Sequence, residues 1–131
     1  MTRPNRGRTL RRGPFPPIAE YGFLSDCEVS AYYDDLLRPV ADGRSDGFCK
    51  LIADRREHTI LGAQVLGEYS AETVPTVAAH MAAGMTVEQV AELQLAFPTF
   101  TEGVSMAAQK ICRSLGVGRF RQVWSYLGPE D

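Results

Sequence analysis

TILGAQVLGEYSAETVPTVAAHMAAGMTVEQVAELQLAFPTFTEGVSMAAQ, residues 59–109, is the stretch on which the fold turns. Thr59 to Gly67 is an aliphatic run of strand length and type. Ser70 to Ala83 changes period. Val74, Val77, Ala78, Met81 and Ala82 recur at three- and four-residue spacing, so a helix is expected. Ala78, Ala79, Ala82 and Ala83 keep that helix slim, which suits close packing on a sheet or on a second copy of itself, and Gly84 stops it. Pro75 either sits in the first turn behind Thr73 as cap or kinks the helix. Thr86 with Gln89 is a capping box that opens a shorter helix running to about Leu95. Thr99 with Glu102 repeats the signature after Pro98 and opens the last helix. Its buried stripe is Val104, Ala107, Ala108, Ile111 and Leu115, and Gly116 and Gly118 end it.

Outward from this stretch, Gly47 to Ala53 is a second aliphatic strand. The link DRREH joins it to the strand at 59–67 as an antiparallel hairpin. Gly62 and Gly67 in the second strand predict a helix packed tightly against it. Residues 41–47, ADGRSDG, are loop-forming. Ser25 and Glu28 form a third capping box, from which a helix to Leu36 or Leu37 is expected, stopped by Pro39. Ile18 to Phe23 is expected to be a short strand behind Pro14, Pro16 and Pro17. The sum is an α+β domain, a small antiparallel sheet covered by helices on one face. It is expected over residues 14–115, after a disordered basic arm at 1–13 and before a tail at 116–131. The tail is basic and aromatic, with Trp124, and suits either a short helix or a strand.

With 131 residues the chain holds one core, too little for a two-domain enzyme with its own cofactor fold. The net charge of −2 hides an arm with Arg3, Arg6, Arg8, Arg11 and Arg12 and no acid. Arginines contact phosphates, but the arm has no interleaved aromatics and the body behind it is acidic, which argues against nucleic acid as a partner. Cys27, Cys49 and Cys112 are far apart and odd in number, so buried, reduced thiols in a cytoplasmic protein are expected. No apolar run is long enough to span a membrane, and the basic N-terminus lacks the apolar core of a secretory signal. His58 is expected in a solvated turn. His80, among alanines, is expected to be partly buried or at an interface, since no second ligand is spaced to share a metal with it.

The order of elements and the residues themselves resemble the C-terminal dimerisation domain of the pyridine nucleotide-disulfide oxidoreductases, the family of dihydrolipoamide dehydrogenase, glutathione reductase and mercuric reductase. The matching segments are PPIAEYGF (16–23), GFCKLIADRREHTILGAQVLG (47–67), Ala71-Glu72, AAHMAAGMTVEQVAEL (78–93) and FPTFTEGVSMAA (97–108). In that family FAD and NAD(P) bind to two preceding Rossmann-like domains, one of which carries the redox cysteine pair. This sequence has neither a GxGxxG turn nor paired cysteines, so the resemblance implies no cofactor in this chain, with FAD and NAD(P) available only from a partner chain. The dimerisation domain contributes a His-Pro-Thr segment whose histidine is a general acid/base, oriented by a glutamate five residues on. Pro98, Thr99 and Glu102 match that pattern, but Phe97 stands at the histidine's place and cannot carry a proton. Glu102 is then a vestigial active-site group or simply a helix-start residue.

Three functions compete. One is a stand-alone homodimerisation module, with the small-residue helix, His80 and the corner Phe97, Pro98, Thr99, Phe100 in or near the interface. A second is the C-terminal fragment or subunit of an FAD- and NAD(P)-dependent oxidoreductase, working with a separate flavin- and nicotinamide-binding chain. The third is a small-molecule or thiol-binding protein using the cleft beside Phe97 and Glu102.

Overall fold

A computed structural model describes residues 26–117, so the basic arm, the expected strand at 18–23 and the aromatic tail lie outside the described residues. Three strands, β1 (Asp26–Tyr32), β2 (Phe48–Asp54) and β3 (Ile60–Leu66), form an antiparallel sheet in the order β1-β2-β3. The helices are α1 (Leu37–Ala41), α2 (Ser70–Ala82), α3 (Val87–Ala91) and α4 (Glu102–Leu115). This is the expected α+β arrangement, with the core on one face of the sheet.

The register explains the one-sidedness. Cys27 pairs with Ala53, Val29 with Leu51 and Ala31 with Cys49, while Leu51 and Cys49 pair in turn with Ala63 and Val65. Alternate residues share a face, so this set makes one apolar layer. Val104, Ala107, Ala108, Ile111 and Cys112 of α4 are fully buried against it. Each of the larger aliphatic side chains contributes about 2 kcal/mol by leaving water. Gly103 lets α4 approach closely, because a Cβ there would lie 3.2 Å from the Cβ of Cys49. The other face of the sheet carries the rows Tyr32–Phe48–Leu66, Ser30–Lys50–Gln64 and Glu28–Ile52–Gly62, with Tyr32 and Leu66 exposed.

Residues 26–32 correct the expected helix from Ser25. Glu28 lies mid-strand opposite Ile52 instead of closing a capping box. Cys27, Ala31 and Tyr33 are buried while Glu28 and Tyr32 are exposed, and this period-two alternation overrides the capping signature. Pro39 does not stop a helix there. It is buried inside the short α1, where the chain turns back. Gly67 also has another cause than the one expected. At φ 120° it adopts a conformation open to glycine, and a Cβ would meet the Tyr33 ring at 2.7 Å, so an aromatic ring crowds it rather than a helix. At Gly62 the nearest atom to a Cβ is the Ile52 Cδ1 at 4.0 Å, ordinary contact.

The hairpin link forms as expected. Asp54 Oδ1 accepts from the amides of Arg56 and Glu57 at 2.7 and 2.8 Å, and His58 reverses the chain at φ 58°. Helix α2 carries Pro75 within it. Thr73 is not its cap, since its hydroxyl donates to the Tyr69 carbonyl at 2.9 Å and Tyr69 occupies the cap position. Of the expected apolar stripe, Val77 is buried and Met81 half-buried, but Val74, Ala78 and Ala82 stay exposed. All three cysteines are free and buried. Burial pushes the Cys49 thiol up to about 12 and, with the Glu88 charge adding to it, that of Cys112 to about 11, so both are unreactive.

Candidate functional site

Two helix starts frame the region that the sequence singles out. At α3 the Thr86 hydroxyl accepts from the Gln89 amide at 3.4 Å, and the Gln89 side chain accepts from the Thr86 amide at 2.9 Å, the full capping box. Helix α3 ends at Ala91 rather than near Leu95, and residues 92–96 leave it as an irregular strip. A Phe97–Pro98 cis peptide follows.

The expected Thr99–Glu102 capping box does not form. Helix α4 begins only at Glu102, with Thr101 in the cap position and no side-chain cap bond, so Glu102 falls in the helix's first residue and not its third. The Thr99 hydroxyl instead donates backwards to the Ala96 carbonyl at 2.8 Å, holding the corner closed. Phe100 is buried against Tyr33 at 5.3 Å between ring centroids and against Tyr69 at 4.9 Å. Phe97, three residues earlier, is 67% exposed.

The corner has a hollow on each side. One, of about 210 Å³, is lined by Arg38, Tyr69, Glu72, Pro98, Thr99, Phe100 and Thr101. The larger, of about 500 Å³, lies between residues 91–97 and the first two turns of α4, and Phe97, Glu102, Ser105 and Gln109 border it. The structure thus brings Phe97 and Glu102 to one cavity, with Pro98, Thr99 and Phe100 facing the other. His80 borders neither. It points into the body of the chain, 8% exposed, with Nδ1 lacking a hydrogen-bond partner, and burial holds its pKa below the ordinary histidine value.

The electrostatics of the larger cavity centre on Glu102. Burial raises its pKa above the usual carboxylate value, since the charged form loses solvation. Its Oε2 is shut off from solvent without a hydrogen-bond partner, and the Ser105 Oγ is in the same condition. Gln109 donates through Nε2 to the Ala91 carbonyl at 3.4 Å, tying α4 to the end of α3. Ser105 and Gln109 were not singled out from the sequence. Their signal was spacing, because residues three and seven beyond Glu102 share its helix face. Across the molecule, His58 Nδ1 closes on Glu88 Oε1 in a short contact that locks the hairpin turn to α3. The Val87 amide also donates to the His58 carbonyl at 2.8 Å. Among the described residues no group of three metal-ligating side chains comes together.

Comparison with known proteins gives a consistent pattern. The family "Pyridine nucleotide-disulphide oxidoreductase, dimerisation domain" matches residues 27–108. Dihydrolipoyl dehydrogenase from Halobacterium salinarum is 28% identical over 103 residues, covering 72% of this chain and 22% of that protein. Mercuric reductase from Acidithiobacillus ferrooxidans is 30% identical over 82 residues, covering 63% of this chain and 15% of its own length. The chain therefore spans about a fifth or less of these relatives. Among solved structures, RclA, an HOCl-induced flavoprotein disulfide reductase from Escherichia coli, superposes with a TM-score of 0.63 at 21% identity, over 70% of this chain and 21% of that one. LpdA from Mycobacterium tuberculosis gives 0.62 at 17% identity, over 66% and 19%. These two likenesses establish the fold alone.

Proposed function

Because the chain belongs to the pyridine nucleotide-disulphide oxidoreductase dimerisation-domain family, we propose that it works as a self-pairing module and forms a homodimer. The observation that carries this is the outer face of α2, where Val74 is 46% exposed and Ala71, Ala78 and Ala82 are exposed beside it. Small residues on one helix face let a second backbone approach closely, and a two-fold contact uses the same patch on both copies. Phe97, the most exposed large apolar side chain among the described residues, extends the surface available for pairing.

Hydride transfer is assigned to no residue of this chain. Phe97 has no proton to give where the resemblance expects a histidine, and FAD and NAD(P) would come only with a partner chain that binds them. The module fits a cytoplasmic setting, in which Cys27, Cys49 and Cys112 remain thiols. Among the described residues no helix is long and apolar enough to cross a membrane.

Size-exclusion chromatography with light scattering tests the pairing. Twice the chain mass is expected at micromolar concentration, and Val74→Glu together with Ala78→Glu is expected to give a monomer with unchanged circular dichroism. A wild-type monomer at that concentration overturns the proposal. The second reading, a subunit of an FAD- and NAD(P)-dependent oxidoreductase, is favoured by how little of each relative's length the chain matches. Its test is co-purification from native extract, read by flavin absorbance on the captured material.

A further inference from the structure

Phe97 and the smaller hollow lie on opposite sides of one corner. The exposed ring borders the larger cavity and not the hollow of about 210 Å³ beside Pro98. That hollow is more apolar than polar, with Tyr69, Pro98 and Phe100 among its walls. The Tyr69 ring lies on Phe100 at 4.9 Å between centroids and is itself exposed, so part of an aromatic surface is open to an incoming group. Arg38 also lines the hollow, its Nε donating to Asp42 Oδ2 at 2.7 Å, and a guanidinium there attracts the face of a ring. An apolar cavity of about 150 Å³ takes a benzene molecule, so a phenyl group fits by size.

We propose that the hollow receives Phe97 of a second copy, so that in the homodimer each chain's ring enters the hollow of the other. The inference rests on the self-pairing reading and deepens it, naming an anchor and its socket. The position of the hollow selects a second copy over another aromatic group. Glu72, which lines it, lies in the first turn of α2 beside exposed Ala71 and Val74, so the hollow continues the face assigned to pairing. Phe97 directly precedes Pro98, which puts the ring at the edge of the same surface. A two-fold contact needs a self-complementary patch, in which each copy offers the other what it accepts. An exposed apolar ring next to an aromatic-walled hollow is such a patch, and aromatic side chains seated in pockets carry much of the binding energy at interfaces.

Sedimentation equilibrium of the full chain tests the anchor. Phe97→Ala is expected to weaken the dimer about tenfold for each ring lost, about a hundredfold in all. Leu66→Ala, which trims a comparably exposed side chain on the outer face of the sheet, is expected to leave it unchanged. Thr101→Trp fills the hollow from its own wall and is expected to weaken the dimer as Phe97→Ala does. Thr101 makes no side-chain cap bond, and circular dichroism checks that the variant folds. Phe97→Ala alters an exposed side chain, so its comparison with Leu66→Ala stands whatever Thr101→Trp does. Mixing the two weakened variants sharpens the test, because one keeps an open hollow and the other a free ring. One of the two contacts is then restored, and native mass spectrometry should show the mixed dimer in excess of random exchange. A wild-type monomer overturns the pairing reading and this inference with it. A wild-type dimer that Phe97→Ala leaves equally tight, an equal loss from Leu66→Ala, or folded variants that show no preference for the mixed dimer overturns this inference alone.

Discussion

Thr86-Val87-Glu88-Gln89 and Thr99-Phe100-Thr101-Glu102 carry the same four-residue signature, and the fold treats them in opposite ways. At the first, Thr86 and Gln89 exchange both capping bonds and Glu88 is held by His58 through Oε1, although its Oε2 is also buried without a partner. At the second, Thr99 turns back to Ala96, α4 starts two residues late, and Glu102 and Ser105 are left with unpartnered oxygens. The contrast has a local cause. Thr86 follows Gly84 and Met85 with extended backbone, φ −84° and ψ 162°, the geometry that lets a threonine hydroxyl reach the third amide. Thr99 follows a proline and is bent into a corner by the burial of Phe100 between Tyr33 and Tyr69, so its hydroxyl faces away from the helix. One start is a closed joint, and at the other no side chain caps the helix.

If that division is right, removing a partner should cost most at the joint. The His58–Glu88 contact carries the turn and α3 together, with both side chains about one-quarter exposed. Glu88→Gln is expected to destabilise the fold by about 1–2 kcal/mol near neutral pH, after allowance for partial exposure. A double-mutant cycle with His58→Gln should recover about 0.5–1 kcal/mol of coupling in chemical denaturation. Coupling near zero would make the joint no different from a surface pair. The pH dependence follows from the direction of the Glu88 shift. Burial raises its pKa, but hydrogen bonds from its own backbone amide, from His58 and from Thr86 outweigh burial and leave it below 4.5. A lowered carboxylate contributes stability above its unfolded value and loses it as pH falls through the folded one. Acid denaturation below about pH 4.5 should therefore be shallower in Glu88→Gln than in the wild type.

The cap itself comes next. Thr86→Ala removes the acceptor for the Gln89 amide and should cost about 1 kcal/mol. Thr99→Ala, which loses only an exposed backward bond to Ala96, should cost less than about 0.5 kcal/mol. Equal losses in urea melts would erase the difference between the two starts.

How much of this was legible in the residues depends on what kind of signal carried it. The β2–β3 hairpin and the buried stripe of α4 were readable because aliphatic residues at fixed period leave one way to bury a face. The segment from Ser25 was misread because its capping signature is local, whereas the alternation of Cys27, Ala31 and Tyr33 is a tertiary demand and prevails. The same limit hid the second helix start. Nothing in Thr99–Glu102 announces that Phe100 will be drawn inward by Tyr33 and Tyr69, two residues far off in sequence. At the candidate site, Phe97 and Glu102 were nameable, because resemblance points to them. Ser105 and Gln109 were not, because a buried serine on a helix looks the same as any small residue until its oxygen is found without a partner.

The smallest expected effect separates the two carboxylates most cleanly, because it has the opposite sign. Glu102 has its folded pKa raised by burial, so the folded state binds its proton more tightly than the unfolded state does. Its contribution is full below about 4.5 and is lost as pH rises through the folded value, after which the cost of the buried charge is constant. Glu102→Gln cannot ionise, so it should be more stable than the wild type near pH 7, by less than about 1 kcal/mol for a carboxyl that is only partly buried. The gain should shrink towards zero by about pH 4, where the wild-type carboxyl is largely protonated. Paired urea melts of Glu88→Gln and Glu102→Gln at the two pH values read this directly. A loss of stability in Glu102→Gln at pH 7, of the size seen for Glu88→Gln, would mean that Glu102 is held by a partner after all, and the distinction between the two helix starts would fall.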